Sequence, residues 1–386
     1  MQTQLPQPNQ LPPYGLVNSP AGWQHCLADL SQQPRLALDL EANSMYAYRE
    51  QICLIQLSTP HQDYIIDPFA KLDLSPLAQL LANPAIEKIL HAAEYDLILI
   101  KQEHGWQLEN LFDTYLAARI LGLKQVGLAN LLKARYDVQL DKSHQRANWG
   151  KRPLTPSQLN YAQADTHYLF QLRDDLYADL SAAKRLPEAE QSFAKQCQIV
   201  PTKHQFNPDN FWSINGVYDL PDYGQATLKN LYIYRNEQAA RHNMPPFKIF
   251  SDQTLLELAR RTPLTMNQLR YIHGMTNGQV NRYGADILKI VEENLYAPAP
   301  PRPRQLRRPS TANNDRFVKL QNWRKERAQI RGVESDIILS REAMWAIAKA
   351  NPLTLTDLSK IESLDSWRLE SYGEEILQLL IPRKNV

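Results

Sequence analysis

Residues 36–41 read Leu-Ala-Leu-Asp-Leu-Glu, an apolar run interrupted by two acidic side chains. A short apolar run of this kind is typical of a strand buried in an α/β domain. Side chains at positions i and i+2 of a strand share one face, so Asp39 and Glu41 are expected to lie side by side. Two buried carboxylates repel each other unless a cation lies between them. An isolated Asp-x-Glu is nevertheless more often a strand edge that faces solvent.

Three further polar residues occur in settings that suit the same chemistry. Asp96 starts an apolar segment predicted to be a helix, where a carboxylate also stabilises the helix N-terminus. Tyr161 and Asp165 are four positions apart in a later predicted helix and therefore share one of its faces. Taken singly, each has an ordinary structural explanation. The informative feature is their joint order along the chain with Asp39 and Glu41.

Hydrophobic periodicity predicts an α/β domain that ends near residues 180–200. The first three strands, joined by short connections, are expected to form an antiparallel meander. One long helix is expected to begin at Pro156 and to run on past Leu176. The other predicted elements are strands at 36–40, 52–57, 64–68 and 86–90 and helices at 74–81, 95–104, 113–121 and 128–136.

The joint pattern of acids resembles the DEDD exonuclease superfamily. Position 160 is Asn, where the histidine subgroup of that superfamily carries its general base, so the pattern is that of the tyrosine subgroup. The likeness is closer over residues 145–154, Gln-Arg-Ala-Asn-Trp-Gly-Lys-Arg-Pro-Leu, and over 158–165. With His91-Ala92 ahead of Asp96, these segments resemble the ribonuclease D family.

Residues 231–291 and 320–380 form an internal repeat, because positions in the first segment match those 89 residues later without a gap. Thr-Pro-Leu-Thr in the first copy corresponds to Asn-Pro-Leu-Thr in the second. The likeness is weakest at 333–338. Both copies are predicted to be helical, and they resemble the HRDC domain. The family therefore implies an α/β exonuclease domain, ribonuclease H-like with a mixed sheet flanked by helices, followed by two all-α HRDC domains.

The resemblance also implies a reaction and its cofactors. The reaction is 3′→5′ hydrolysis of RNA to nucleoside 5′-monophosphates, in the 3′ maturation of transfer RNA and other small structured RNAs. Four carboxylates offer hard oxygen ligands, which favour two Mg²⁺ or Mn²⁺ ions. By this resemblance Asp39, Glu41 and Asp165 hold one ion, and Asp39 with Asp96 serves the second. Tyr161 orients the attacking water.

Basic charge is concentrated in one part of the chain. The net charge is only +2, but residues 302–331 carry ten basic side chains against two acidic ones. Such a cluster beside Phe317 and Trp323 suits a phosphate backbone, although a solvated linker has the same composition. The candidate substrate-binding residues are His91, Lys151, Arg152, Arg324 and Arg327. A salt bridge for Arg152 and a structural role for His91 stay open as alternatives.

The expected organisation is a soluble cytoplasmic monomer, with RNA as partner and with neither a membrane segment nor an organic cofactor. Three widely spaced cysteines argue against a zinc site and a disulfide framework.

A DNA exonuclease of proofreading or repair type and a non-catalytic nucleic-acid adaptor are the alternatives. The expected boundaries are a loose arm at 1–20, the exonuclease domain at 21–205, the first HRDC domain at 206–296, a Pro/Arg-rich linker at 297–314 and the second HRDC domain at 315–386.

Overall fold

The computed structural model describes residues 5–201, 205–303 and 310–381. Two compact units account for these residues. One unit lies within Met1–Glu41, Ile52–Pro201 and Arg308–Val386, and it combines the α/β domain with the second helical copy. The other lies within Ala42–Gln51 and Thr202–Arg307, and it contains the first helical copy. The predicted basic residues Arg304, Arg307 and Arg308 lie outside the described residues.

A mixed six-stranded sheet forms the centre of the α/β domain, in the order β1-β4-β3-β2-β5-β6. The pairs β1/β4, β2/β5 and β5/β6 are parallel, and β3/β4 is antiparallel. Every residue of β3 is buried, as its continuous apolar sequence predicts. The strands are β1 (Gly15–Val17), β2 (Arg35–Ala42), β3 (Ile52–Ser58), β4 (Asp63–Ile66), β5 (Glu87–Leu90) and β6 (Leu111–Asp113).

Eight helices flank this sheet within the described part of the α/β domain. They are α1 (Pro20–Leu30), α2 (Pro76–Ala82), α3 (Glu94–Glu103), α4 (Thr114–Leu121), α5 (Leu128–Tyr136), α6 (Pro156–His167), α7 (Leu169–Ala182) and α8 (Leu186–Cys197). The prediction of an α/β domain with a mixed sheet is confirmed.

The structure differs from the sequence-based prediction at three places. Residues 15–17, expected to be part of a loose arm, form β1 because β4 offers them an open sheet edge. The short strand β6 was not predicted, since three residues are too few to show a period. The long helix expected from Pro156 is two helices, which meet at the buried Tyr168, where the backbone N–H bonds to Thr166 O instead of continuing the α-helical ladder.

The two helical copies repeat the same elements. The first contains α9 (Asp222–Arg241), α10 (Pro246–Ile249), α11 (Asp252–Arg261), α12 (Met266–Arg270) and α13 (Asn277–Asn294). The second contains α14 (Thr311–Arg331), α15 (Ser335–Ile338), α16 (Arg341–Ala350), α17 (Leu355–Ser359) and α18 (Ser366–Leu380). The short helices α10 and α15 correspond at the 89-residue spacing, although the sequences there differ most. The ungapped repeat is therefore confirmed in the backbone.

Residues 42–51 follow Glu41 directly but pack with the first helical copy. Tyr48 donates a hydrogen bond from its hydroxyl to Asn236 Oδ1 at 2.8 Å, and Lys248 Nζ lies 4.0 Å from the centre of the Tyr46 ring. Among the described residues, no helix combines the length and the apolar character that crossing a bilayer requires.

Candidate active site

Asp39, Glu41 and Asp165 lie together at a pocket of about 430 Å³. One carboxylate oxygen from each residue lies within 4.8 Å of the other two. β2 supplies Asp39 and Glu41 from one face of the sheet, and α6 supplies Asp165. Two segments more than a hundred residues apart in the sequence thus place three acids at one point.

Asp96 joins this group from a third element. It lies in the first turn of α3 and is only 6% exposed. Burial raises its pKa well above the usual value, and the charges of Asp39, Asp113 and Asp165 raise it further. The carboxylate of Asp96 thus lies within electrostatic range of Asp39 and Asp165, outside the cluster that those two form with Glu41. All four acids predicted from the sequence are therefore neighbours.

The pKa values of the acids describe a site that lacks compensating positive charge. Burial raises the pKa of Asp39 to about 7, although the backbone N–H of Leu40 bonds to it and lowers the value. The pKa of Glu41 is raised to about 10, by burial and then by the charges of Asp39, Asp165 and Asp96. Burial and Asp39 also raise the pKa of Asp165 well above its usual value.

Crowded carboxylates of this kind fit divalent metal ions. The donor set consists of oxygen atoms alone, which is the set that Mg²⁺ and Mn²⁺ prefer and that zinc does not. A bound dication would favour the ionised form of each acid and so reverse the pKa shifts. Asp39, Glu41 and Asp165 offer the tightest cluster, and Asp96 adjoins it.

Tyr161 lies one helical turn before Asp165 on the same face of α6. Its hydroxyl donates a hydrogen bond to the Asp165 carboxylate. Its ring is held between Trp149 and His144, with both centroid distances 5.9 Å. Burial and the nearby acids raise the pKa of Tyr161 above its usual value, so the phenol is protonated at neutral pH. Tyr161 can therefore orient a water molecule but is unsuited to be its base.

The helix that carries Tyr161 and Asp165 is fixed by a buried polar network. Asp63 at the start of β4 accepts hydrogen bonds from Gln163 Nε2 at 2.7 Å and from His167 Nδ1 at 2.8 Å. Ser58 bonds both to Asp63 at 2.6 Å and to Thr166 at 2.7 Å. The sequence-based reasoning missed this network because its members are separated by up to about a hundred residues.

The helix that carries Asp96 is fixed by a second buried acid, Asp113. Its carboxylate accepts hydrogen bonds from the backbone N–H groups of Ala92 and Ala93 at 2.9 and 3.0 Å, just before α3. It also caps α4 through the N–H groups of Tyr115 and Leu116. One carboxylate thus satisfies the open ends of two helices. An acid followed by Thr114 at a helix start was the available signal in the sequence.

His91 lines the same pocket and has a defined tautomer. The hydroxyl of Thr114 donates its single proton to Leu90 O at 3.1 Å, so its oxygen accepts from His91 Nδ1 at 2.9 Å. Nε2 of His91 is therefore left as an acceptor. Burial lowers the pKa of His91 to about 4, so the ring is neutral. Because His91 lines the pocket, it can contact substrate, and this contact stays a prediction.

Arg152 has a structural role. A guanidinium has five N–H groups, and in Arg152 all of them go to the protein, to both carboxylate oxygens of Asp67 and to the carbonyls of Cys53, Trp149 and Lys151. The structure thus supports the salt-bridge alternative for Arg152, since no N–H group is left for a phosphate. Its neighbour Lys151 is exposed, and substrate contact there stays a prediction.

Arg324 and Arg327 also bind within their own helical domain. Arg324 donates to Leu339 O at 2.9 Å, and Arg327 Nε lies 2.8 Å from Glu375 Oε2. Arg331 forms an ion pair with the fully buried Glu188 of α8. Part of the basic stretch therefore serves packing, and its expected role in binding substrate falls to the side chains that remain exposed.

Comparison with protein families matches two models to this chain. The model described as "3'-5' exonuclease" matches residues 15–181, and the HRDC domain model matches residues 224–291 and 313–380. Ribonuclease D from Pseudomonas paraeruginosa is 29% identical to the chain over 357 residues, which cover 90% of this chain and 92% of that protein.

Solved structures show the same fold. The catalytic core of RRP6 from Trypanosoma brucei has a TM-score of 0.67 and 25% identity, and the match covers 73% of this chain and 80% of that one. The Escherichia coli RNase D structure, described as an exoribonuclease involved in structured RNA processing, also has a TM-score of 0.67, at 24% identity. That match covers 97% of this chain and 100% of the other.

Proposed function

The chain belongs to the ribonuclease D family of 3′→5′ exoribonucleases, and on this premise we propose that it removes nucleotides from RNA by a two-metal mechanism. Its family is metal-dependent, and its relatives act on RNA, which favours RNA over DNA as substrate. One observation carries the proposal: three carboxylates lie within 4.8 Å of one another beside a tyrosine hydroxyl, with pKa values raised by burial and mutual repulsion.

The residues have separate tasks in this mechanism. Asp39, Glu41 and Asp165 would hold one divalent ion, and Asp39 with Asp96 would serve a second. Bound at this site, the two ions supply Lewis acidity for the attacking water and for the departing 3′ oxygen. The Tyr161 hydroxyl donates its proton to Asp165, and its oxygen would accept a hydrogen bond from the attacking water, which orients the water towards the terminal phosphorus.

The products follow from the bond that breaks. Water attacks the last phosphorus atom, and the bond from phosphorus to the 3′ oxygen of the preceding nucleotide breaks. The phosphate stays on the released nucleoside as a 5′-monophosphate. The attacking water gives up a proton and the departing 3′ oxygen takes one up, so the shortened RNA ends in a new 3′ hydroxyl and is a substrate for the next cycle.

The test is hydrolysis of an RNA labelled in its 3′-terminal nucleotide. With Mg²⁺ we expect the label to appear as a nucleoside 5′-monophosphate, and with EDTA we expect it to stay on the RNA. The Asp165→Asn variant is the matched control, because it removes one metal ligand and keeps the size of the side chain. Release of internal fragments, or no release with Mg²⁺, would contradict the proposal.

Transfer RNA precursors are the natural substrate that we propose. The resemblance to ribonuclease D and the two HRDC domains support a substrate with a folded body and a free 3′ tail. The comparison to make is between a transfer RNA with a 3′ extension and an unstructured RNA with the same 3′ sequence. Faster trimming of the transfer RNA is expected, and equal rates would argue against a role for the folded body.

A further inference from the structure

A second cavity of about 700 Å³ lies between the α/β domain and the second helical copy, which belong to the same compact unit. One wall is α4 with the loop that follows it. The other wall is the end of α14 with the turn that leads into α15. None of the five catalytic residues lines this cavity.

The cavity and the active-site pocket adjoin each other along α4. Tyr115 lines both of them. One face of α4 and its C-cap points to the cavity. It carries Tyr115, then Arg119 four residues later, and Gly122 three residues after that. The loop after α4 also borders both, since residues 122–124 and 126 line the cavity and residues 127–129 line the pocket. The cavity, here called the groove, therefore lies directly beside the active-site pocket, with Tyr115 at the border of the two.

The walls of the groove are held rigidly together. A Cβ on Gly122 would lie 2.2 Å from Gly332 O, so the ends of α4 and α14 are in close contact. Arg185 of the α/β domain donates to Ile120 O at 2.6 Å and to Arg331 O at 3.1 Å, which joins the last turns of both helices. The pair of Arg331 with the buried Glu188 adds a third link. These three links join the two walls of the groove.

Two lysines supply free positive charge along the groove. Lys124 and Lys325 are exposed on opposite walls, and neither forms an ion pair with any residue that the structure describes. The third cation, Arg119, is already bound to Asp336 at 2.7 Å, with Glu334 nearby. Tyr115 adds an aromatic ring, which Arg119 contacts at 5.6 Å and His91 at 5.7 Å.

We propose that this groove binds the single-stranded RNA that precedes the bond being cut, with Lys124 and Lys325 on its phosphates and Tyr115 stacked against a base. This deepens the exoribonuclease function and rests on it. From Tyr115 to Gly122 the groove runs about 10 Å along α4, the length of about three stacked nucleotides at 3.4 Å each. Lysine contacts and base stacking both tolerate any sequence, which suits an enzyme that degrades stepwise.

The experiment compares oligoribonucleotides of two to ten nucleotides with the wild-type protein and the Lys124→Ala/Lys325→Ala variant. A dinucleotide has no phosphate other than the one being cut, so the two lysines have nothing to bind and its hydrolysis is expected to be unchanged. For the ten-nucleotide RNA, we expect KM to rise roughly tenfold with kcat unchanged. The slope of log affinity against log salt concentration is expected to fall by about 1.4, since each phosphate contact on a single strand contributes roughly 0.7.

The matched control is the Lys349→Ala/Lys360→Ala variant, which removes two exposed lysines from the same helical copy outside both the groove and the basic stretch. It should bind and hydrolyse all lengths as the wild type does. Equal losses in both variants, or a loss that is the same for two and ten nucleotides, would overturn the groove.

Binding of a fluorescein-labelled ten-nucleotide RNA in EDTA, measured by anisotropy, tests the groove without catalysis. Weaker binding by the groove variant alone supports the groove, and equal binding by all three proteins overturns it. A wild-type protein that binds this RNA but hydrolyses nothing with Mg²⁺ would refute the exoribonuclease function separately.

Discussion

Asp63 and Asp39 are acids on strands of the same sheet, but their pKa values are shifted in opposite directions. Burial alone would raise the pKa of Asp63, but hydrogen bonds from His167, Ser58 and Gln163 hold it below the usual value. Burial raises the pKa of Asp39 to about 7, and the backbone N–H of Leu40 is the hydrogen bond that opposes this shift.

The difference separates a structural acid from a ligand-binding one. Asp63 receives donors because its ionised form anchors α6, which carries Tyr161 and Asp165. Asp39 receives almost none, and its neighbours are further acids. Crowded carboxylates with few hydrogen-bond donors are unfavourable without a metal ion, but they suit a divalent cation. The scarcity of donors at Asp39 therefore fits metal binding, and the donors at Asp63 fit a structural role.

The largest effect should come from removing a ligand-binding acid. In Asp39→Asn we expect RNA hydrolysis to fall on the order of a thousandfold or more, about 4 kcal/mol in the activation barrier. Metal binding, followed by isothermal titration with Mn²⁺, should weaken in parallel. Near-normal turnover in this variant would place the metal site elsewhere.

Removing the structural acid should affect stability more than chemistry. Asp63→Asn leaves His167 and Gln163 without their carboxylate, and breaking such a buried pair costs about 3 kcal/mol. Urea unfolding of the metal-free protein measures this loss. The folded fraction should still hydrolyse RNA within about tenfold of the wild-type rate. A variant as stable as the wild type would remove the distinction between the two acids.

Tyr161→Phe tests a smaller effect at the same pocket. Loss of one hydrogen bond to the attacking water is expected to lower kcat by about tenfold to thirtyfold, or roughly 2 kcal/mol. Mn²⁺ affinity should stay at the wild-type value, since the hydroxyl is not a ligand. Full turnover in Tyr161→Phe would show that the hydroxyl has no part in orienting water.

The smallest effect is a pH dependence of the metal-free protein. The pKa of Asp39 is near the usual 3.8 in the unfolded chain and about 7 in the folded one. Between these values the folded state binds the extra proton, so stability falls as pH rises. Asp39→Asn should therefore be more stable than the wild type at pH 8, by on the order of 1 kcal/mol, and the difference should shrink towards pH 4. Thermal unfolding in EDTA measures this difference, and a difference that is constant with pH would contradict the shift.

Local sequence was sufficient wherever one period or one motif decided the outcome. The strand at 36–41 placed Asp39 and Glu41 on one face, because alternation is a property of the extended chain itself. The ungapped repeat predicted two copies of one helical domain, and the structure repeats even the short helices whose sequences differ most. A resemblance carried by the acids and Tyr161 was enough to predict the family.

Tertiary structure alone decided which charges are free. Arg152 and Lys325 look equally available in the sequence, yet five hydrogen bonds occupy Arg152, and Lys325 is exposed in a groove. Likewise, no local pattern indicates that Asp63 accepts hydrogen bonds from Gln163 and His167. Whether an acid or a base finds a partner depends on side chains about a hundred residues away, and only the packed chain brings those side chains within hydrogen-bond distance.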